Sequence, residues 1–225
     1  MEAMLTVADR FDVTFIVLDF ETLTPPGRPP EPIEVAAIAG RIGPDGQWRE
    51  TGRYQALIRP PADVPVTGFD QAQNGLTRQA LDRQRPAGPV MAALDARLAS
   101  PPYRLVAHSA HTEATVIGGQ TEHCPTLAST GMLCTVKLSR AAFPELPSHR
   151  LDALADYLCV PLPPDRHRAM PDAELTVQVL QRAVAAGDQR GLWPELCHLD
   201  AAGAILPRHS KTGPPRASRD QDTLF

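Results

Sequence analysis

The chain has 225 residues, enough for one domain with an appendage and a substantial core. Its formal net charge of -4 excludes a global basic field, so a polyanionic partner would have to be held by local basic patches or by metal ions. No apolar stretch reaches membrane-spanning length, and Glu2, Asp9, Arg10 and Asp12 are unlike a secretory signal, so a cytoplasmic location is expected.

Residues 1–13 have no clear period and read as a loosely held leader before a domain over 14–205. The domain opens with FIVLDFET, Phe15 to Thr22, a short apolar run that reads as a strand buried on both faces. Side chains alternate along a strand, so Asp19 and Glu21 share a face at its carboxyl end. Two carboxylates held that close repel unless a cation lies between them. Leu23 to Pro32 holds five prolines and reads as a semi-rigid loop beside this pair. Ile33–Ile42 and Gly52–Arg59 read as strands flanking a Pro44-Asp45-Gly46 turn, which completes an antiparallel meander.

Asn74-Gly75-Leu76-Thr77 reads as a turn opening a helix capped by Thr77. A second helix is expected over Pro89–Ala99, and Tyr103–Ala107 as a further buried strand running into His108-Ser109-Ala110-His111-Thr112-Glu113. Glu113, Val116 and Ile117 then lie on one side of a short helix, which puts an acid in line with core residues. Met132–Leu138 reads as strand or strand-to-helix, and Ser148 as the cap of a helix striped by Leu151, Leu154 and Leu158. In His167-Arg168-Ala169-Met170-Pro171-Asp172, Pro171 suits the first helical position, and Asp172 tops a stripe of Leu175, Val179 and Ala183. A last helix is expected within Trp193–Ile205. Residues 206–225 are polar, basic and proline-bearing and read as a disordered tail. Cys124, Cys134, Cys159 and Cys197 form no C-x-x-C pair and read as reduced, small core residues.

Asp19 with Glu21, Glu113, and Asp172 with His167 thus stand at the ends of buried elements that can converge at one sheet edge. Four carboxylates and an imidazole suit a two-metal centre: hard cations such as Mg2+ or Mn2+ take oxygen ligands, and a pair of them stabilises the attacking and departing oxygens of a phosphodiester. The imidazole of His167 would be the general base on water. His108, His111 and His149 read as structural hydrogen-bonders.

The order D-x-E, H-x-A-x-x-acid, H-x-x-x-x-D resembles that of the DEDDh 3'-5' exonucleases, the superfamily of the proofreading subunit of bacterial DNA polymerase III, over roughly residues 14–203. Asn74-Gly75-Leu76-Thr77 and Ser148-His149-Arg150-Leu151-Asp152-Ala153-Leu154 are similar to supporting phrases of those proteins. The resemblance implies an α/β, ribonuclease H-like fold with a five-stranded mixed sheet flanked by helices. It also implies two divalent ions on Asp19, Glu21, Glu113 and Asp172, His167 as base, and Thr22 and Leu23 where the terminal nucleotide enters. Glu113, Ser109 and Thr112 stand where the family pattern has aspartate, asparagine and phenylalanine, and glutamate still offers two oxygens one methylene further out. The implied activity is 3'-5' hydrolysis at DNA ends in replication or repair. The rivals are an RNA-trimming exonuclease and a catalytically weak adaptor that kept the fold.

Gln221-Asp222-Thr223-Leu224-Phe225 is similar to the Q-x-x-L-F peptides that dock on the bacterial sliding clamp. A Leu-Phe pair on a flexible polar segment has nothing of its own to pack against, which makes the clamp the expected partner of Gln221, Leu224 and Phe225.

Overall fold

Strand β1 (Thr14–Leu23) lies inside a six-stranded sheet of order β3-β2-β1-β4-β5-β6 in a computed structural model that describes residues 11–43, 45–99, 101–164 and 166–205. β2 (Glu31–Ile42) and β3 (Trp48–Leu57) continue antiparallel on one side. On the other side β4 (Tyr103–Ala107) and β5 (Met132–Cys134) run parallel, and the two-residue β6 (Ala204–Ile205) returns antiparallel on β5. The expected meander and mixed sheet are therefore present, with six strands instead of five because the end of the 193–205 segment pairs with β5.

Phe15, Val17 and Leu18 are fully buried, each contributing about 1.5–3 kcal/mol through lost apolar exposure. The apolar half of β1 thus fixes its place between two layers and carries Asp19 and Glu21 to its carboxyl end. Phe15 and Val17 pack in the layer that contains α8 (Ala169–Gln189), whereas Ile16, Leu18 and Phe20 face the layer built on α3 (Ala87–Asp95) and α4 (His111–Gly119). Phe11 and Val13 join the α8 layer, so the core begins inside the segment expected to be a loose leader.

The remaining helices among the described residues are α1 (Gly68–Asn74), α2 (Arg78–Asp82), α5 (Pro125–Ser129), α6 (Thr135–Ala142), α7 (Leu151–Tyr157) and α9 (Leu196–Gly203). Thr77 caps α2 as expected, accepting the Ala80 N–H at 3.2 Å. Ser148 does not cap α7: Arg150 holds that position, and the Ser148 hydroxyl accepts the Arg150 N–H at 3.4 Å. Helix α8 starts two residues before Pro171, whose missing N–H falls in the first turn, where no intrahelical partner exists. Glu31 and Pro32, expected in the loop, open β2 opposite a register shift at Glu21/Thr22, where a proline costs no ladder bond. Cys124 and Cys134 are buried, but Cys159 and Cys197 are exposed and not core residues. Pro44 and residues 206–225, including Gln221, Leu224 and Phe225, lie outside the described residues. Among those described, no helix is long and apolar enough to cross a membrane.

Candidate active site

Asp19 and Glu21 leave β1 on the α8 side, and α8 brings Asp172 to meet them. One carboxylate oxygen from each of the three lies within 4.8 Å of the other two, a group that could hold a metal ion. The expected stripe below Asp172 is in place, since Leu175, Val179 and Ala183 are all buried. Glu113 comes from the opposite layer: α4 packs through Ala114, Val116 and Ile117, and its first turn points the acid toward the end of β1. It stands outside the group of three, yet its charge helps to raise the Asp19 pKa.

The site is acidic beyond what its own cations balance. Burial, then Glu113, Asp172 and Glu21, push the Asp19 carboxyl well above the usual range. Burial and Asp172 push Glu21 up to about 7, and burial does the same for Glu113. Oε2 of Glu113 is buried with no hydrogen-bond partner, a costly arrangement for a carboxylate whose own backbone N–H offsets only part of the burial. An all-oxygen donor set with an orphaned buried oxygen fits hard divalent cations.

His167 sits on the loop before α8, exposed, with a left-handed φ of 65°. Its Nδ1 lies 3.4 Å from Gln73 Nε2, so α1 stands against the ring. His108 and His149 have structural contacts, as expected: their Nδ1 atoms lie 2.8 Å from Thr135 Oγ1 and 3.1 Å from Ser139 Oγ. Burial and Arg166 lower the His108 pKa to about 4, which keeps that ring neutral. His111 is the first residue of α4.

A cleft of about 610 Å³ opens beside these acids, and Glu21, Thr22, Leu23, Glu113, Gln73 and Phe69 line it. Phe69 is 76% exposed, an aromatic face presented to solvent at the wall of an acidic cleft. A second hollow of about 500 Å³, beside Ile16, Ala37 and Tyr54, lies on the other face of the sheet from Asp19 and has no carboxylate in its lining.

Three features escaped the sequence reading. Helix α1, which supplies Phe69 and Gln73, was readable from its capping box: Thr67 and Asp70 hold each other through side chain and backbone. Glu34, fully buried on β2 opposite Glu21, receives Arg168 Nε and Nη2 at 2.8 Å each, Gln55 Nε2 at 2.9 Å and the Ala169 N–H at 3.2 Å. Burial alone would raise its pKa, but these donors hold it lower, so an ionised Glu34 ties the start of α8 to the sheet. Arg166 donates to Asp172 and to Asp152. Nothing in the local sequence marks that link, because it joins a loop to two helices.

Residues 16–180 match the model of the exonuclease family RNase_T. Among curated proteins, no sequence matches the chain. Similar solved structures include the nuclease domain of 3'hExo, a DEDDh family member, bound to rAMP. It is 17% identical with a TM-score of 0.65, over 77% of this chain and 92% of that one. Exonuclease X in complex with 5' overhanging duplex DNA is 21% identical at TM-score 0.59, over 84% and 99%. E. coli Exonuclease I in complex with a dT13 oligonucleotide is 17% identical at TM-score 0.64, and the match covers 84% of this chain but 46% of that one. With most of its length inside the family match and the sheet of these nucleases around its acidic cluster, the chain belongs to the RNase_T exonuclease family.

Proposed function

We propose that the chain is a metal-dependent 3'-5' exonuclease that hydrolyses phosphodiesters at single-stranded or frayed 3' ends of DNA. The observation that carries this reading is the meeting of Asp19, Glu21 and Asp172 oxygens within 4.8 Å, with the unpaired Oε2 of Glu113 beside them. In this reading Asp19, Glu21, Glu113 and Asp172 hold two divalent ions, Mg2+ or Mn2+, which when bound supply Lewis-acid stabilisation of the phosphoryl oxygens. His167 takes the proton of the attacking water at Nε2. That role needs Nδ1 protonated, with the Gln73 amide presenting its oxygen to that edge of the ring. Exposure keeps the ring in contact with water and lets it pass the proton on. Thr22 and Leu23 border the terminal nucleotide, and Phe69 offers a stacking face to a base further back on the strand. A single strand exposes its bases to such contacts, and a paired end does so only when it frays.

Titration of Mg2+ or Mn2+ against a labelled strand, for the unaltered chain and Asp19→Ala, tests the activity. Metal-dependent mononucleotide release that Asp19→Ala abolishes supports it; a chain inactive at every metal concentration is instead the adaptor. The preference for DNA rests on the peptide Gln221, Leu224 and Phe225, which would tether the enzyme to the sliding clamp at primer ends. Among similar structures, one neighbour recognises a histone mRNA stem-loop, so matched DNA and RNA oligonucleotides must be competed. Preferential RNA degradation would replace the DNA reading. Deleting residues 221–225 should abolish co-elution with the clamp and leave free-strand degradation intact; equal co-elution would remove the clamp from this account.

A further inference from the structure

Arg166 occupies an unusual place for a positive charge. Its Nε and Nη2 donate to one oxygen of Asp152, at 2.9 Å and 2.7 Å, while Nη1 reaches inward and pairs with Asp172. The inner end of this bridge is largely desolvated and its outer end is not: the side chain of Asp172 is 11% exposed, that of Arg166 19%, and that of Asp152 57%. The guanidinium is therefore anchored by an acid outside the cluster and extends one arm into it. Its positive charge also offsets the repulsion felt by Asp19 and Glu21. Arg168, two residues on, is bound to Glu34, and its charge acts on Glu21 as well.

We propose that Arg166 is an internal counter-ion of the carboxylate cluster, holding Asp172 when no divalent ion is bound and surrendering it when one is. The inference rests on the metal-site reading above. The Oδ1 lone pair that Nη1 occupies is closed to an ion from that side, and a guanidinium and a divalent cation on one carboxylate repel each other, so the Arg166–Asp172 pair competes with metal. The apparent affinity then equals the intrinsic one multiplied by the fraction of molecules in which Asp172 is free. The anchor on Asp152 keeps the released guanidinium local, so the exchange is a swing of one side chain and leaves the fold unchanged. A metal-free cluster of four acids would otherwise have to protonate or repel.

The test is calorimetric titration of Mn2+ into the full chain at constant ionic strength, for the unaltered protein, Arg166→Gln and Arg166→Lys, with thermal unfolding in EDTA alongside. Lysine retains the charge but lacks the fork that engages Asp152 and Asp172 together. Both variants should bind Mn2+ about tenfold more tightly than the unaltered chain, corresponding to about 1.4 kcal/mol, and both should unfold at lower temperature in EDTA. If Arg166→Lys keeps the unaltered affinity while Arg166→Gln binds more tightly, the effect is the general field of a positive charge and the proposal is overturned. Equal affinity in all three overturns it too. If even the unaltered chain binds no Mn2+, the metal-site reading fails, and this inference with it.

Discussion

Replacing Glu113 by glutamine isolates the contribution of one buried charge, because the amide keeps the shape of the neutral acid and cannot ionise. Burial, with a smaller push from Glu21, moves the Glu113 pKa from 4.5 to about 7, whereas in the unfolded chain it returns to the ordinary value. The folded state therefore binds the proton more tightly, and the stability this confers is fully present below pH 4.5 and lost as pH rises to about 7. At 1.36 kcal/mol per tenfold, the loss is about 3 kcal/mol, an upper figure because Glu21 titrates in the same range and shares the proton. Glutamine mimics the protonated acid at every pH. In EDTA, Glu113→Gln should match the unaltered chain near pH 4.5 and exceed it at pH 8, where about 3 kcal/mol corresponds to about 6–12 °C in a chain of this size. Divalent ions at pH 8 should reverse the order, since they stabilise the carboxylate and have one ligand fewer in the variant. Thermal unfolding by circular dichroism across pH 4.5–8, with EDTA and with Mn2+, reads all four corners. A Glu113→Gln protein no more stable than the unaltered chain in EDTA at pH 8, or equally stabilised at both ends of the range, would refute the reasoning.

His167→Gln should lower kcat by about a hundredfold or more, while Mn2+ affinity by calorimetry stays unchanged. Phe69→Ala should raise KM for a single-stranded oligonucleotide by about 5- to 100-fold, the worth of one base stack, and should lose that effect on a strand carrying abasic sites at the stacked position. Gly187→Ala tests the packing far from the chemistry: a Cβ there would run into the Trp193 indole, whose Nε1 donates to the Val184 carbonyl at 3.1 Å. It should destabilise the chain by about 1–3 kcal/mol in denaturant unfolding.

The residues that proved legible in the sequence are those whose role is written in local periodicity. FIVLDFET announces a buried strand that ends in acids, and the three- and four-residue spacing from Asp172 through Leu175 and Val179 fixes which side of α8 it occupies. Glu113 was legible as an acid in line with Val116 and Ile117, but its arrival from the opposite layer, and so its separation from the group of three, is a tertiary fact. The leader was misjudged because the apolar residues of 1–13 show no regular period, yet the α8 layer takes in Phe11 and Val13. Helix α9 and β6 were merged into one helix because a two-residue strand has no pattern of its own; it exists only by pairing with β5. Arg166 and Glu34 were missed for the same physical reason: their meaning lies in partners 6 to 135 residues away.

The most direct test of the account is anomalous diffraction from crystals of the chain grown with Mn2+. The account predicts Mn2+ density between the carboxylates of Asp19, Glu21 and Asp172, with Glu113 supplying an oxygen and Arg166 withdrawn to Asp152. Crystals that bind Mn2+ elsewhere, or leave Arg166 on Asp172 with no ion among the acids at saturating Mn2+, would contradict it.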